Sequence, residues 1–103
     1  MLHLVILAAS AFLAQAQENT LVQANALFKA QRLTEAKVLA EQVLHVEPTN
    51  PAALEIKGNV QYLQGDSSAA ISTFIDLLEA HPENQEASYM LGRIYYQEGL
   101  LDK

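Results

Sequence analysis

Shifted by about 34 residues, this sequence lands on itself, and that periodicity constrains the fold more than any other feature. Gly58 falls on Gly92, Gly65 on Gly99 and Ala53 on Ala87. In the other direction Pro82 falls on Pro48, Asn84 on Asn50, Ala70 on Ala36, Leu78 on Leu44 and Asn59 on Asn25. Small, proline and apolar positions repeat together, which one chance motif would not do. A chain built this way stacks one supersecondary unit on the next, because a single unit cannot bury its own apolar face.

The unit is clearest over residues 51–84. A helical apolar pattern with Leu54, Gly58 and Leu63 runs to Gly65 and Asp66 and stops. It restarts at Ser67 or Ser68, carries Ile71, Phe74, Ile75, Leu77 and Leu78 on one face, and stops again at Pro82. Asn50 is placed to cap the first helix, with Pro51 at the first helical position, where its missing N–H costs nothing.

Residues 17–50 form the preceding unit. Its first helix is expected over residues 18–30, with Leu21, Ala24, Leu27 and Phe28 on one face. Gln31, Arg32 and Leu33 take the turn where the other units carry glycine, so the residue best suited to a left-handed helix stop is missing. Thr34 is expected to cap the next helix, which carries Val38, Leu39, Val43 and Leu44 and is ended by Pro48. The third unit begins at Gln85 with a helix bearing Tyr89, Met90, Leu91, Ile94, Tyr95 and Tyr96. Gly99 makes its turn, and residues 100–103 look like the approach to a second helix. The expectation is a truncated unit, the chain being the N-terminal part of a longer array.

Residues 1–16 stand outside this register. Residues 4–13 are an apolar run about as long as the core of a signal peptide, and Ala14-Gln15-Ala16 has the small residues a signal peptidase accepts, which predicts cleavage before Gln17. The usual N-terminal Lys or Arg is absent. The expected location is therefore exported, periplasmic or secreted. Two alternatives stay open: an uncleaved membrane anchor, although the run is shorter than a span needs, and a first core helix.

Composition narrows the partners. The net charge is −6, and the six basic residues (Lys29, Arg32, Lys37, Lys57, Arg93 and Lys103) are scattered. That disfavours nucleic acid and anionic membrane, which need clustered cations. Cysteine is absent, which removes disulfides, thiolate metal sites and a cysteine nucleophile. His45 and His81 lie near helix C-termini, about one period apart, where a favourable dipole contact explains them without a metal. No glycine-rich phosphate loop and no nucleophile with a nearby base is present. No enzymatic activity, cofactor or small-molecule substrate is expected. Glu35, Glu41, Asp76, Glu79 and Glu86 read as a solvated outer face.

Across residues 17–103 the chain resembles the tetratricopeptide repeat family. That pattern runs from a large apolar residue through leucine-glycine, an aromatic, a glycine turn, an alanine, an aromatic and an alanine to a proline. The second unit matches it with Leu54, Gly58, Gly65, Ala70, Phe74 and Pro82, and departs at Lys57, Gln61 and Leu77. The third supplies Leu91, Gly92, Tyr95 and Gly99; the first keeps Ala24, Leu27, Ala36 and Pro48. The resemblance implies an all-α fold, helix-turn-helix repeats stacked as a right-handed α-solenoid, with the first helix of each repeat lining a concave face. Its positions there are Leu21, Asn25, Phe28 and Lys29, then Glu55, Asn59, Tyr62 and Leu63, then Tyr89, Arg93, Tyr96 and Gln97.

The function so implied is a protein–protein interaction scaffold that binds a peptide or helix. Asn25, Phe28, Glu55, Asn59, Tyr62, Tyr89, Arg93 and Tyr96 are the expected partner-binding residues. Phe28, Tyr62 and Tyr96 share one repeat position, which gives either an aromatic ladder in the groove or packing between repeats. The carboxylate clamp used by some family members is not matched. Only Asn25 fits it, and Leu21, Ile56, Glu86 and Met90 hold the other positions. The alternatives are a membrane-tethered assembly subunit that self-associates or docks through its third repeat, and an N-terminal module of a larger enzyme.

Overall fold

A computed structural model of the chain describes residues 2–99, with side chains from residue 8 onward. The helices are α1 (Leu2–Lys29), α2 (Leu33–Val46), α3 (Pro51–Leu63), α4 (Ser67–Ala80) and α5 (Gln85–Gln97). Successive helices pack pairwise, and α1 also packs on α3. The result is an all-α helical repeat solenoid with two hairpins and the first helix of a third. Residues 100–103, expected to lead into a second helix of repeat three, lie outside the described residues.

The proline and asparagine signals act as the sequence predicts. Asn50 Oδ1 accepts from the Ala53 N–H at 3.0 Å, and Asn84 Oδ1 from the Ala87 N–H at 2.8 Å. Pro51 occupies the first turn of α3. Before Pro48 and Pro82, Glu47 and His81 leave helical angles while their N–H groups still bond Val43 and Leu77. His81 Nε2 also lies 2.7 Å from the Thr49 carbonyl, tying the end of α4 to the preceding inter-repeat loop.

Three expectations are corrected. α1 does not begin at residue 18 but runs unbroken from Leu2. No Gly or Pro occurs before Pro48, and residues 2–16 are rich in Leu and Ala, so nothing interrupts helical hydrogen bonding there. Residues 8–16 are exposed and add nothing to either core cluster. Next, Thr34 does not cap α2. That helix starts one residue earlier, at Leu33, and Arg32 at its cap position makes no side-chain cap bond. Thr34 Oγ1 instead accepts from Gln64 Nε2 at 3.1 Å, bridging the first two repeats. Finally, Asp66 is more than a breaker, because its carboxylate caps α4 through the Ala69 N–H at 3.1 Å.

The first turn closes without glycine because Gln31 adopts φ 65°, alongside 87° at Gly65 and 71° at Gly99, one repeat position in three copies. Arg32 N–H bonds the Leu27 carbonyl and Gln31 N–H the Phe28 carbonyl, and the same pair recurs from Asp66 to Gln61 and from Gly65 to Tyr62. This is the paired hydrogen-bond closure of a left-handed helix stop.

The core has two clusters that meet at α3. Ala24, Ala36, Ala40, Val43, Ala53, Ile56 and Val60 join α1, α2 and α3. Leu54, Ala70, Phe74, Leu77, Ala87, Met90, Leu91 and Ile94 join α3, α4 and α5, and Leu44 packs against both. The small residues sit where the helices of a hairpin cross, as their spacing predicts. The Phe74 ring ends against Gly58, so that a Cβ added there would lie 2.7 Å from Phe74 Cζ. In repeat one the corresponding positions are Ala24 and Ala40, both fully buried. Size is exchanged across the crossing: the large ring faces glycine, and alanine stands in both positions of the other hairpin.

Candidate functional site

The first helices of the repeats enclose a groove of about 480 Å³ between α1 and α3, with α5 contributing at its edge. The apolar lining is Leu21, Val22 and Phe28 from α1 and Ala52 and Ile56 from α3. Glu18, Asn25, Glu55, Asn59 and Glu86 supply the polar groups. Helical periodicity puts them there. Glu18, Val22 and Asn25 recur at near one-turn intervals along α1, as Ala52, Glu55, Ile56 and Asn59 do along α3. Val22 is 66 % exposed, a large apolar side chain presented to the groove and not to the core.

Of the eight residues expected to meet a partner, Asn25, Phe28, Glu55 and Asn59 line this cavity together. Tyr62 and Arg93 form a second group beside it. The Arg93 guanidinium lies 5.6 Å from the Tyr62 ring centroid, within cation–π range, and the Tyr62 hydroxyl donates to Gln97 Oε1. Tyr89 and Tyr96 are 63 % and 78 % exposed on α5 and do not line the groove. The three rings at one repeat position therefore have three environments. Phe28 packs against the first core cluster, Tyr62 against the second, and Tyr96 faces solvent.

Glu86 is a correction: it lies at the groove and not on the outer face. α5 begins at Gln85, so Glu86 falls at the concave mouth, where Asn59 Nδ2 reaches its carboxylate at 3.5 Å. Glu18 and Ala52 hold the same repeat position, and this register was the signal that could have found both acids. Val22 was missed as a lining residue for a related reason: it sits one helical turn before Asn25.

The groove's electrostatics have one sign. Its lining holds three carboxylates and no Lys, Arg or His. Burial pushes the Glu55 carboxyl above its ordinary range; the Asn84 hydrogen bond at 3.5 Å opposes this, and the Glu86 charge adds to the upward shift. A carboxylate ligand would meet no cation here, in line with the unmatched clamp. Among the described residues no group of three or more His, Cys, Asp or Glu could hold a metal, and no helix is long and apolar enough to cross a membrane.

A family model described as tetratricopeptide repeat matches residues 21–76 and again residues 64–103. No curated protein matches the chain. The two overlapping spans together cover most of the sequence and run from within α1 through α5, so the chain belongs to the tetratricopeptide repeat family.

Proposed function

We propose that the chain is a scaffold that captures a peptide or helix of a partner protein in the groove formed by α1, α3 and α5. Repeats of this family are generally protein–protein interaction modules and typically non-enzymatic. The observation that carries the reading is the groove itself: an open cavity with an apolar wall, the exposed Val22 and paired Asn25 and Asn59, built from first helices of successive repeats. Asparagine side chains can both donate to and accept from a peptide backbone, and the apolar wall supplies area for a side chain. The test is Val22→Asn, alone and with Asn59→Ala, assayed against peptides selected on the wild-type chain. Loss of binding with the helical spectrum intact is expected. Unchanged binding by both variants removes the groove reading.

Export belongs with this reading. Residues 8–16 pack into neither core cluster, so removal of a leader ending at Ala16 leaves the core residues in place. Amino-terminal sequencing of the protein from its source is expected to begin at Gln17, and a start at Met1 contradicts it.

A further inference from the structure

The groove carries carboxylates from three separate helices and no cation, and this says what kind of segment it takes. We propose that its ligand is a cationic amphipathic segment, with Lys or Arg side chains directed at Glu18, Glu55 and Glu86 and an apolar side resting on Leu21 and Val22. This deepens the groove reading and rests on it.

The argument is one of complementarity. Glu18 comes from α1, Glu55 from α3 and Glu86 from α5, all on one cavity. Arg93, on the same side of α5 as the first-helix positions, is held over the Tyr62 ring, and Arg32 is paired with Glu35 at 2.8 Å on the exposed first turn. Neither enters the lining of the cavity. The only side-chain donors on the groove acids are Asn59 on Glu86 and Asn84 on Glu55, each at 3.5 Å among the described residues. An ionised carboxylate offers about four acceptor sites, so most of this capacity is open to an incoming donor. Glu55 is half-buried and held towards its neutral form by its surroundings; a bound cation reverses that penalty. Ala52 stands at the repeat position of Glu18 and Glu86 and lines the same cavity. An acidic or carboxylate-ended segment would be repelled by the same three groups.

Selection from a displayed random peptide library against the whole chain tests this. Peptides are retained if they bind wild type and lose binding to Val22→Asn, a polar change that leaves the groove's charge unaltered and confines them to the groove. The retained set is expected to be rich in Lys and Arg relative to the starting library, with affinity that falls as salt is raised. Glu55→Gln with Glu86→Gln should weaken these peptides by about tenfold, since partly exposed charge pairs contribute a few-fold each. Glu41→Gln with Glu79→Gln, which changes net charge equally on the outer face, should leave them unchanged. Circular dichroism confirms that each variant is folded. Neutral or acidic Val22-dependent peptides overturn the cationic assignment while the groove reading stands. Equal weakening by the two double variants assigns the preference to the overall charge of the chain and also overturns it. If no selected peptide depends on Val22, the groove reading falls, and this proposal with it.

Discussion

Gly58→Ala and Gly92→Ala make the same chemical change at the same repeat position, one period apart, in opposite surroundings. At Gly58 the new methyl would lie 2.7, 2.8 and 3.0 Å from three atoms of the Phe74 ring. Phe74 is fully buried, so the ring cannot swing into solvent, and α3 and α4 must separate instead. Forcing a methylene-sized group into a packed core costs about 1–3 kcal/mol. The gain in helix propensity from Gly to Ala offsets about 1 kcal/mol of that. At Gly92 no described atom lies within 4 Å, and only the propensity gain remains. Gly92→Ala is therefore expected to stabilise slightly, and Gly58→Ala to fall below it by about 1–3 kcal/mol, the packing cost alone. For a chain of this size that is a separation in Tm of roughly 4–24 °C. Thermal and urea unfolding of wild type and both variants, followed by circular dichroism, measure it. Phe74→Leu, placed in the Gly58→Ala background, should cost less than in wild type, because a shorter side chain relieves the overlap. Equal stability of Gly58→Ala and Gly92→Ala would refute the reasoning.

Three further outcomes follow from the same structure. Gln31→Gly should stabilise by about 0.5–1 kcal/mol, because Gln31 holds φ 65° where glycine carries no steric cost, and urea denaturation reads the change. Asn84→Ala should cost about 1 kcal/mol for the lost cap on α5, and amide hydrogen exchange should show the first turn of that helix opening first. Glu55 has a folded pKa raised by burial and by Glu86, with Asn84 opposing and Glu18 on the facing helix. Its contribution to stability is thus intact below the ordinary Glu value of about 4.3 and is lost as pH rises through the folded value. Glu55→Gln should be more stable than wild type at pH 7, with the difference gone below about pH 4, as melting curves across that range would show.

Much of this fold was legible because its signals are local and repeated. Asn50 and Pro51 at a helix start, Pro48 and Pro82 at helix ends, and small residues at the crossings each act through the backbone nearby, and repetition removed the ambiguity of any single one. What failed to read was also physical. Gln31 accepts a left-handed conformation because the flanking hydrogen bonds require it, although no residue preference announces it. Thr34 is drawn from a cap to a neighbouring repeat by Gln64, a partner distant in sequence. α1 runs on through residues 2–16 because Leu and Ala extend a helix whatever the segment's later fate. At the site, repeat register identified Asn25, Phe28, Glu55 and Asn59 as one surface. The same register, applied one turn earlier, would have placed Glu18, Val22 and Glu86 there too. Tyr62 and Arg93 pair with each other, which single-helix spacing does not reveal.

The most direct test of the central claim is backbone amide shift mapping by NMR, with a selected peptide titrated into the labelled chain. The account predicts that the largest changes fall on the groove faces of α1, α3 and α5, at Val22, Asn25, Glu55, Asn59 and Glu86. Changes centred on Val38, Glu41 and His45 of α2, with those groove residues still, would contradict it.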